Sequence, residues 1–354
     1  MNKKIFYFSG SKKKKIDDLN LHNLEKFDSN EIAKVLSNNT LTLMKPWIKF
    51  QQEWINNIYK QFKDYDKYIV LMYLVSKSWK GDLDLFKFYS IDEYYSKEEI
   101  SLPNISLLEL SKNLKIPKET IRRKLVELER KSFIKRKDQI IFLTESALNI
   151  QKPKNSIKKL SIFFEQVSIL LSTQDWFGPS IKREDIELYF KKYYTIVWNR
   201  YFQLQIPFLV NWKTIFGDLE SWVIWANMGI NQNKILERNF QEANIKKNNL
   251  ELKKEQYIAN IISMSDTEAN ESMHGVNAAS IAEISSIPRA TVIRKLNKLS
   301  KEKIIKRNKK LEYFLTGHGK LNEKISSNYL NNQKNIALFV TDIFNLIKNS
   351  SLKI

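Results

Sequence analysis

The strongest constraint on this chain is a 21-residue segment that occurs twice. Residues 116–136 read IPKETIRRKLVELERKSFIKR, and residues 287–307 read IPRATVIRKLNKLSKEKIIKR. At an offset of 171, without a gap, ten positions are identical. They are Ile116, Pro117, Thr120, Arg123, Lys124, Leu125, Leu128, Ile134, Lys135 and Arg136. Their counterparts are Ile287, Pro288, Thr291, Arg294, Lys295, Leu296, Leu299, Ile305, Lys306 and Arg307. A repeat of this kind predicts one local structure built twice, and asks why one chain needs both copies.

The similarity extends on either side. At an offset of 154, residues 29–75 align with 183–229, setting SNEIAKVL against REDIELYF and FKDYDKYIV against FGDLESWVI. Trp47 falls on Tyr201 and Trp54 on Phe208, while Phe62/Phe216 and Asp64/Asp218 are kept. Trp54, Ile55, Ile58 and Phe62 are spaced as on one helical face. The second copy carries 17 more residues before its motif, at about 235–275, including the charged NIKKNNLELKKEQ and the polar SDTEANES. After the motif, SIFFEQVSILL (161–171) resembles ALFVTDIFNLI (337–347), with Phe163/Phe339, Val167/Ile343 and Leu170/Leu346 on one face. The turn-rich STQDWFGPS (172–180) separates the two series.

Within the motif the periodicity is explicit. Leu107, Leu108, Leu110 and Leu114 pattern a first helix, and Ile116-Pro117 makes a turn, since proline pushes the residue before it out of helix and starts the next helix well. On that next helix Ile121, Leu125 and Leu128 recur at i, i+4 and i+7 and must face a core. Glu119, Thr120, Arg122, Arg123 and Val126 are left outward. FIKRKDQIIFLT then alternates as a hairpin with its tip at Asp138-Gln139, and IIKRNKKLEYFLT repeats the pattern with its tip at Asn308, Lys309 and Lys310.

Charge concentrates on the same segments. The formal net charge is +20. From Lys112 to Lys137, eleven basic residues stand against three acidic ones, giving +8; from Glu283 to Lys310, ten stand against two, again +8. A genome biased toward A and T would also enrich Lys, Asn and Ile, but drift does not place charge so selectively. The pattern points to a polyanionic partner, above all nucleic acid. Arginine on an outward helical face can fork onto guanine O6 and N7, and threonine suits phosphate or base edges.

Composition closes off other classes. With no cysteine, the chain has no disulfide, thiolate metal site or cysteine nucleophile. The apolar stretch at 68–75 is far too short to span a membrane, and MNKKIFYFSGSKKKK lacks the apolar run of a signal peptide. The chain contains neither G-x-x-x-x-G-K-[ST] nor G-x-G-x-x-G. His22, His274 and His318 lie far apart, and Asp82 and Asp84 read as turn residues rather than a metal pair. The expectation is an intracellular protein, not an enzyme, without cofactor or metal.

At IP-x-x-T-(I/V)-x-RKL, the (F/I)IKR that opens the hairpin and the Leu-Thr that closes it (Leu143-Thr144, Leu315-Thr316), the chain resembles bacterial winged helix-turn-helix regulators, most closely the MarR type. The resemblance covers about 45 residues in each copy. It implies that the second helix of each motif enters a DNA major groove and that flanking helices pair two such units on a pseudo-palindrome. Two departures matter: both hairpins are very short and lack the family's Asp- and Arg-rich tip, and one chain carries two copies.

The expected architecture is therefore mainly α with small β wings, as two tandem winged helix-turn-helix units forming an intramolecular pseudo-dimer. Residues 1–28 would be a basic flexible arm that includes Lys12, Lys13, Lys14 and Lys15; 29–172 the first unit; 183–354 the second. The expected function is a cytoplasmic, nucleoid-associated transcriptional regulator, a monomer acting as a pseudo-dimer and reading an imperfect palindrome in double-stranded DNA. The candidate contacts are Lys118, Thr120, Arg122, Arg123, Lys135 and Arg136 in the first unit, and Arg289, Thr291, Arg294, Lys306 and Arg307 in the second. A plasmid-type replication initiator binding iterated origin sites is the alternative. A winged-helix adaptor for proteins fits the focused charge less well. The eight tryptophans read as core, with an effector pocket the less common use of such residues.

Overall fold

The computed structural model describes residues 26–350, except 85–86, 103, 139, 154, 247–274 and 317–320. The described chain is mainly helical, with two small antiparallel sheets. Of the expected arm, only residues 26–28 fall within it, and they are docked: Phe27 stacks on Phe177 at 5.0 Å and its backbone N–H donates to Asn345 Oδ1 at 2.7 Å.

Three helices open the chain: α1 (Ser29–Asn38), α2 (Thr40–Phe62) and α3 (Tyr65–Asp84). The short α4 (Ile91–Tyr95) follows, started by a reciprocal cap between Ser90 and Glu93. Then come β1 (Glu99–Ser101), α5 (Leu107–Leu114), α6 (Lys118–Arg130), and the hairpin β2 (Ile134–Lys137) and β3 (Ile140–Thr144). α7 (Glu145–Gln151) and α8 (Ser156–Leu171) close the first series. Between them lies Pro153, whose ring and missing N–H prevent one continuous helix.

The second series begins with α9 (Arg183–Lys192), α10 (Tyr194–Phe216) and α11 (Leu219–Lys246). Their first two lengths, 10 and 23 residues, equal those of α1 and α2. Then follow α12 (Ala278–Ser285), α13 (Arg289–Lys301), the hairpin β4 (Ile305–Arg307) and β5 (Tyr313–Leu315), and one closing helix, α14 (Asn322–Lys348). Most of the extra material expected at 235–275 lies outside the described residues.

Two details depart from the sequence pattern. β1 pairs antiparallel with β3, making a three-stranded sheet of order β1-β3-β2; in the second series its place is taken by a single bridge, Val276 to Tyr313. On α5, Leu110 and Leu114 are buried but Leu107 and Leu108 are exposed.

The core is continuous between the two series. α1 packs on α14 and α9 on α8, so each series lends its first helix to the other's last. The closing helices meet through Phe164, 5.5 Å from Phe339 and 5.4 Å from Phe344. At the centre Gln205 donates to Gln51 at 2.8 Å, and Gln51 donates to Tyr201 at 3.2 Å, both buried. Gln51 and Gln205 occupy matching positions in the alignment at an offset of 154.

The two sides of this centre differ. α3 lies closely against α10, with Trp79 5.0 Å from Phe202 and 6.3 Å from Tyr194. On the other side α2 and α11 are joined by Gln52 donating to Asn227 at 2.7 Å, and a cavity of about 580 Å³ opens beside them under α14. Trp47, Trp212, Trp222 and Trp225 line it, and among the described residues no charged side chain does. Tryptophans expected as plain core thus line free space here, beneath the 27-residue α14.

Candidate nucleic-acid interface

Each α5–α6 and α12–α13 pair turns on the same few residues. Lys115 ends α5 and Ser286 ends α12 in the left-handed region, at φ 50° and 58°. The following Ile116 and Ile287 are buried and pin the turn to the core. Pro117 and Pro288 then start α6 and α13 with extended ψ of 142° and 135° and no side-chain cap. The first backbone N–H groups of both helices therefore remain available to an anion.

The three residues Arg-Lys-Leu repeated in both helices divide into three roles. Leu125 and Leu296 are buried among the hydrophobic residues. Arg123 and Arg294 face solvent, the Arg123 side chain being 66% exposed. Lys124 and Lys295 turn inward. Lys124 Nζ lies 2.5 Å from Asp64 Oδ2, and Lys295 Nζ 2.7 Å from Asp218 Oδ2. In each case the other aspartate oxygen caps a helix: Asp64 Oδ1 accepts from Lys67 N at 3.0 Å at the start of α3, and Asp218 Oδ1 from Ser221 N at 2.8 Å at the start of α11. One carboxylate thus joins a helix start to the exposed helix in both series. Asp64/Asp218 and Lys124/Lys295 were visible in the sequence as retained pairs, but their contact was not, since 60 residues separate the first pair.

These clamps set the local titration. Burial pushes Asp218 up, but bonds from Lys295 and Ser221 outweigh it and hold its carboxyl below the ordinary range. Glu127 is likewise held low by its bond from Lys67, against burial, with Lys124 adding to it. For Lys124, burial works against the charged form, and Asp64 and Glu127 overcome it, raising its pKa. The basic windows therefore overstate the free charge: Lys124 and Lys295 are structural.

The candidate contact residues fall as follows. In the first series Lys118, Arg122, Arg123, Lys135 and Arg136 are exposed and Thr120 is half-buried. Arg122 bonds Glu119 at 2.6 Å, Lys135 pairs with Glu99 at 3.2 Å, and Arg136 forks onto Glu129. In the second series Arg289, Arg294 and Arg307 are exposed, and Thr291 and Lys306 are half-buried. Arg307 sits 5.4 Å over the Tyr313 ring. In each series the exposed candidates lie on the outward side of one helix and on the strand that packs beside it, α6 with β2 and α13 with β4. The sequence reading did not single out Leu311, which the second hairpin presents at its tip, 59% exposed.

Other candidates do not gather. His22, His274 and His318 and the lysine run at 12–15 lie outside the described residues. Among the described residues no cluster of His, Cys, Asp and Glu could hold a metal, and no helix is long and apolar enough to cross a membrane. The chain matches no family model, no curated protein and no solved structure.

Proposed function

We propose that the chain is a sequence-specific double-stranded DNA-binding regulator that presents two recognition helices, α6 and α13, from one polypeptide. The observation that carries this reading is the recurrence of one construction. An uncapped helix start and a solvent-facing arginine at the same position are braced in each series by the same aspartate–lysine clamp. An arginine at the groove-facing part of such a helix can discriminate guanine, while the free N–H groups and the flanking Lys135, Arg136, Lys306 and Arg307 take phosphates.

On this reading the two series form a fused pseudo-dimer. Supporting it are the exchange of α1 and α9 onto the other series' closing helix and the contact between matched residues Gln51 and Gln205. Such a chain places two recognition helices about one DNA turn apart, roughly 34 Å, and needs no second copy to cover a palindrome. The halves of that palindrome differ, since Glu119 and Arg122 of α6 stand where α13 has Ala290 and Ile293.

The experiment is titration of the full chain onto duplexes selected from a random pool, at several salt concentrations, with the complex sized by analytical ultracentrifugation. Log affinity falls with log salt by about 0.9 for each phosphate neutralised. One chain per imperfect palindrome is the expected stoichiometry. Salt-independent affinity removes the reading. Two or more chains on directly repeated sites transfer it to replication-initiator-like binding of iterated sequences.

A further inference from the structure

We propose that a small cavity between α7 and the central helices is a nucleotide site, which takes the base of a nucleoside monophosphate and thereby sets how α6 is held. The binding stands on the cavity alone; its effect on α6 rests on the DNA reading above.

The cavity, of about 290 Å³, lies where the end of α7 meets the second half of α2 and the first half of α10. Trp54, Tyr68, Trp198, Tyr201 and Phe202 line it, with Trp54 5.2 Å from Tyr201 and 5.9 Å, edge-on, from Tyr68. Aromatic rings offer π-faces on which any base can stack. Gln151, the last residue of α7, lines it too. Its amide nitrogen and oxygen are both shielded from solvent, and neither has a hydrogen-bond partner. No other described side chain leaves two polar atoms in that state. Burying an amide unpaired is unfavourable, and the terminal torsion of glutamine is soft, so the amide can turn to a partner that enters the cavity. That partner needs a donor and an acceptor side by side on a flat edge. Each nucleobase has such an edge, and bases taken out of a stack are held in this way, by edge hydrogen bonds and aromatic stacking. The exposed part of the lining suits the attached phosphate. It is made by Asn57, Asn155 and Lys152, whose ammonium lies 5.3 Å over the Tyr95 ring. The one carboxylate of the lining, Glu53, is already neutralised by Lys159.

α7 is fixed to the hairpin before it and, through that, to α6. Thr144, the last residue of β3, caps α7 by accepting from Ala147 N at 3.4 Å. The same hydroxyl reaches back to Ser132 O at 2.5 Å and Phe133 O at 3.2 Å, just beyond the end of α6. The remaining walls come from α2, α3 and α10, the last belonging to the second series. A base bonded to Gln151 and stacked on these rings therefore ties α6 and its hairpin to the centre of the molecule. The second series is built differently at this point. At the offset that sets 161 on 337, Gln151 falls on Ser327 and Pro153 on Tyr329, inside the single helix α14. The ligand thus addresses the first half-site alone.

The test is calorimetric titration of the full chain with the monophosphates of adenosine, cytidine, guanosine and uridine, and with ribose phosphate as the probe that lacks a base. Wild type takes up a single nucleotide per chain and no ribose phosphate. Gln151→Leu weakens binding by roughly ten- to a hundredfold, the worth of two hydrogen bonds, while its Tm is unchanged or raised because an unpaired amide is gone. Gln151→Glu accepts at both oxygens, so preference moves to guanosine monophosphate, whose edge offers two adjacent donors; a merely structural glutamine would not shift it. No heat with any nucleotide, or equal affinity in Gln151→Leu, overturns the site. The bound nucleotide also changes affinity for a selected duplex severalfold, an effect that disappears when the first half-site is scrambled. Unchanged duplex affinity overturns the link to α6. If the chain selects no duplex at all, the DNA reading falls, and the titration still decides the nucleotide site.

Discussion

The two basic surfaces carry the same formal charge and differ in what already compensates it. On the first, carboxylates are interleaved: Glu119 holds Arg122, Glu127 holds Lys67 and Lys124, Glu129 holds Arg136, and Glu99 holds Lys135. On the second, Asp218 takes Lys295 inward and also pairs with the exposed Lys298, and neither Arg289 nor Arg294 has an ion-pair partner among the described residues. A cation bonded to a neighbour must release it before meeting a phosphate, whereas an unpaired one gives up only water and counterions. Equal counts of lysine and arginine therefore do not make equal fields. The second surface has the stronger claim on a polyanion, and the first the more selective one.

The same asymmetry reaches the clamps, where the largest effect is expected. Lys124 has two carboxylates, Asp64 at 2.5 Å and Glu127 at 3.3 Å; among the described residues Lys295 has Asp218 alone, at 2.7 Å. Asp218→Ala leaves a mostly buried ammonium without its partner, removes a helix cap and frees Lys298, and should cost about 3 kcal/mol. Asp64→Ala, with Glu127 remaining, should cost about 2 kcal/mol. Chemical denaturation midpoints at unchanged m-value check the order, and equal losses break the comparison. Acid should reveal the same groups. The folded-state pKa values of Asp218 and Glu127 are lowered, so their contribution is present above the unfolded carboxylate pKa and is lost as pH falls through the folded values. Asp218→Asn should flatten the acid limb of the stability profile.

Next in size are the outward arginines. Arg294→Ala should weaken binding to a selected duplex by about 2–3 kcal/mol, and Arg123→Ala by about 1 kcal/mol, each relaxing base preference in one half-site only. Competition binding at fixed salt reads both. A larger loss at Arg123 would reverse the assignment of field and selectivity between the surfaces.

How much of this was legible beforehand follows from where the physics is local. The turn at Ile116-Pro117, the buried face of Ile121, Leu125 and Leu128, and the outward Arg122 and Arg123 all follow from helical spacing within a dozen residues. They could be read directly. The inward turn of Lys124 could not, because its partner lies across the fold at the start of another helix, and a lysine beside two exposed arginines carries no mark of burial. Strand β1 was missed because three residues hold little alternation, and it exists only through pairing with β3. The leucines at 107, 108, 110 and 114 marked a helix correctly, but spacing alone did not tell that only Leu110 and Leu114 are buried while Leu107 and Leu108 stay exposed. The cavity was hidden for a third reason: aromatic spacing tells that residues face inward, not that they fill the space they face.

The smallest expected effect lies where the two series touch through matched residues. Gln51 and Gln205 are buried and bonded to each other, and Gln51 also reaches Tyr201. Replacing Gln205 alone by leucine leaves a buried amide oxygen on Gln51 without its donor, at a cost of about 1–2 kcal/mol. Replacing both glutamines by leucine, together with Tyr201→Phe, removes every partner at once, and an apolar cluster of similar shape takes their place. Because an unmade hydrogen bond costs more than an absent one, the triple variant should be nearly as stable as wild type and clearly more stable than the single one. Denaturation of the three proteins decides it. If the triple variant loses at least as much as the single one, the amides contribute to holding the two series together in a way that burial and hydrogen-bond satisfaction alone do not describe.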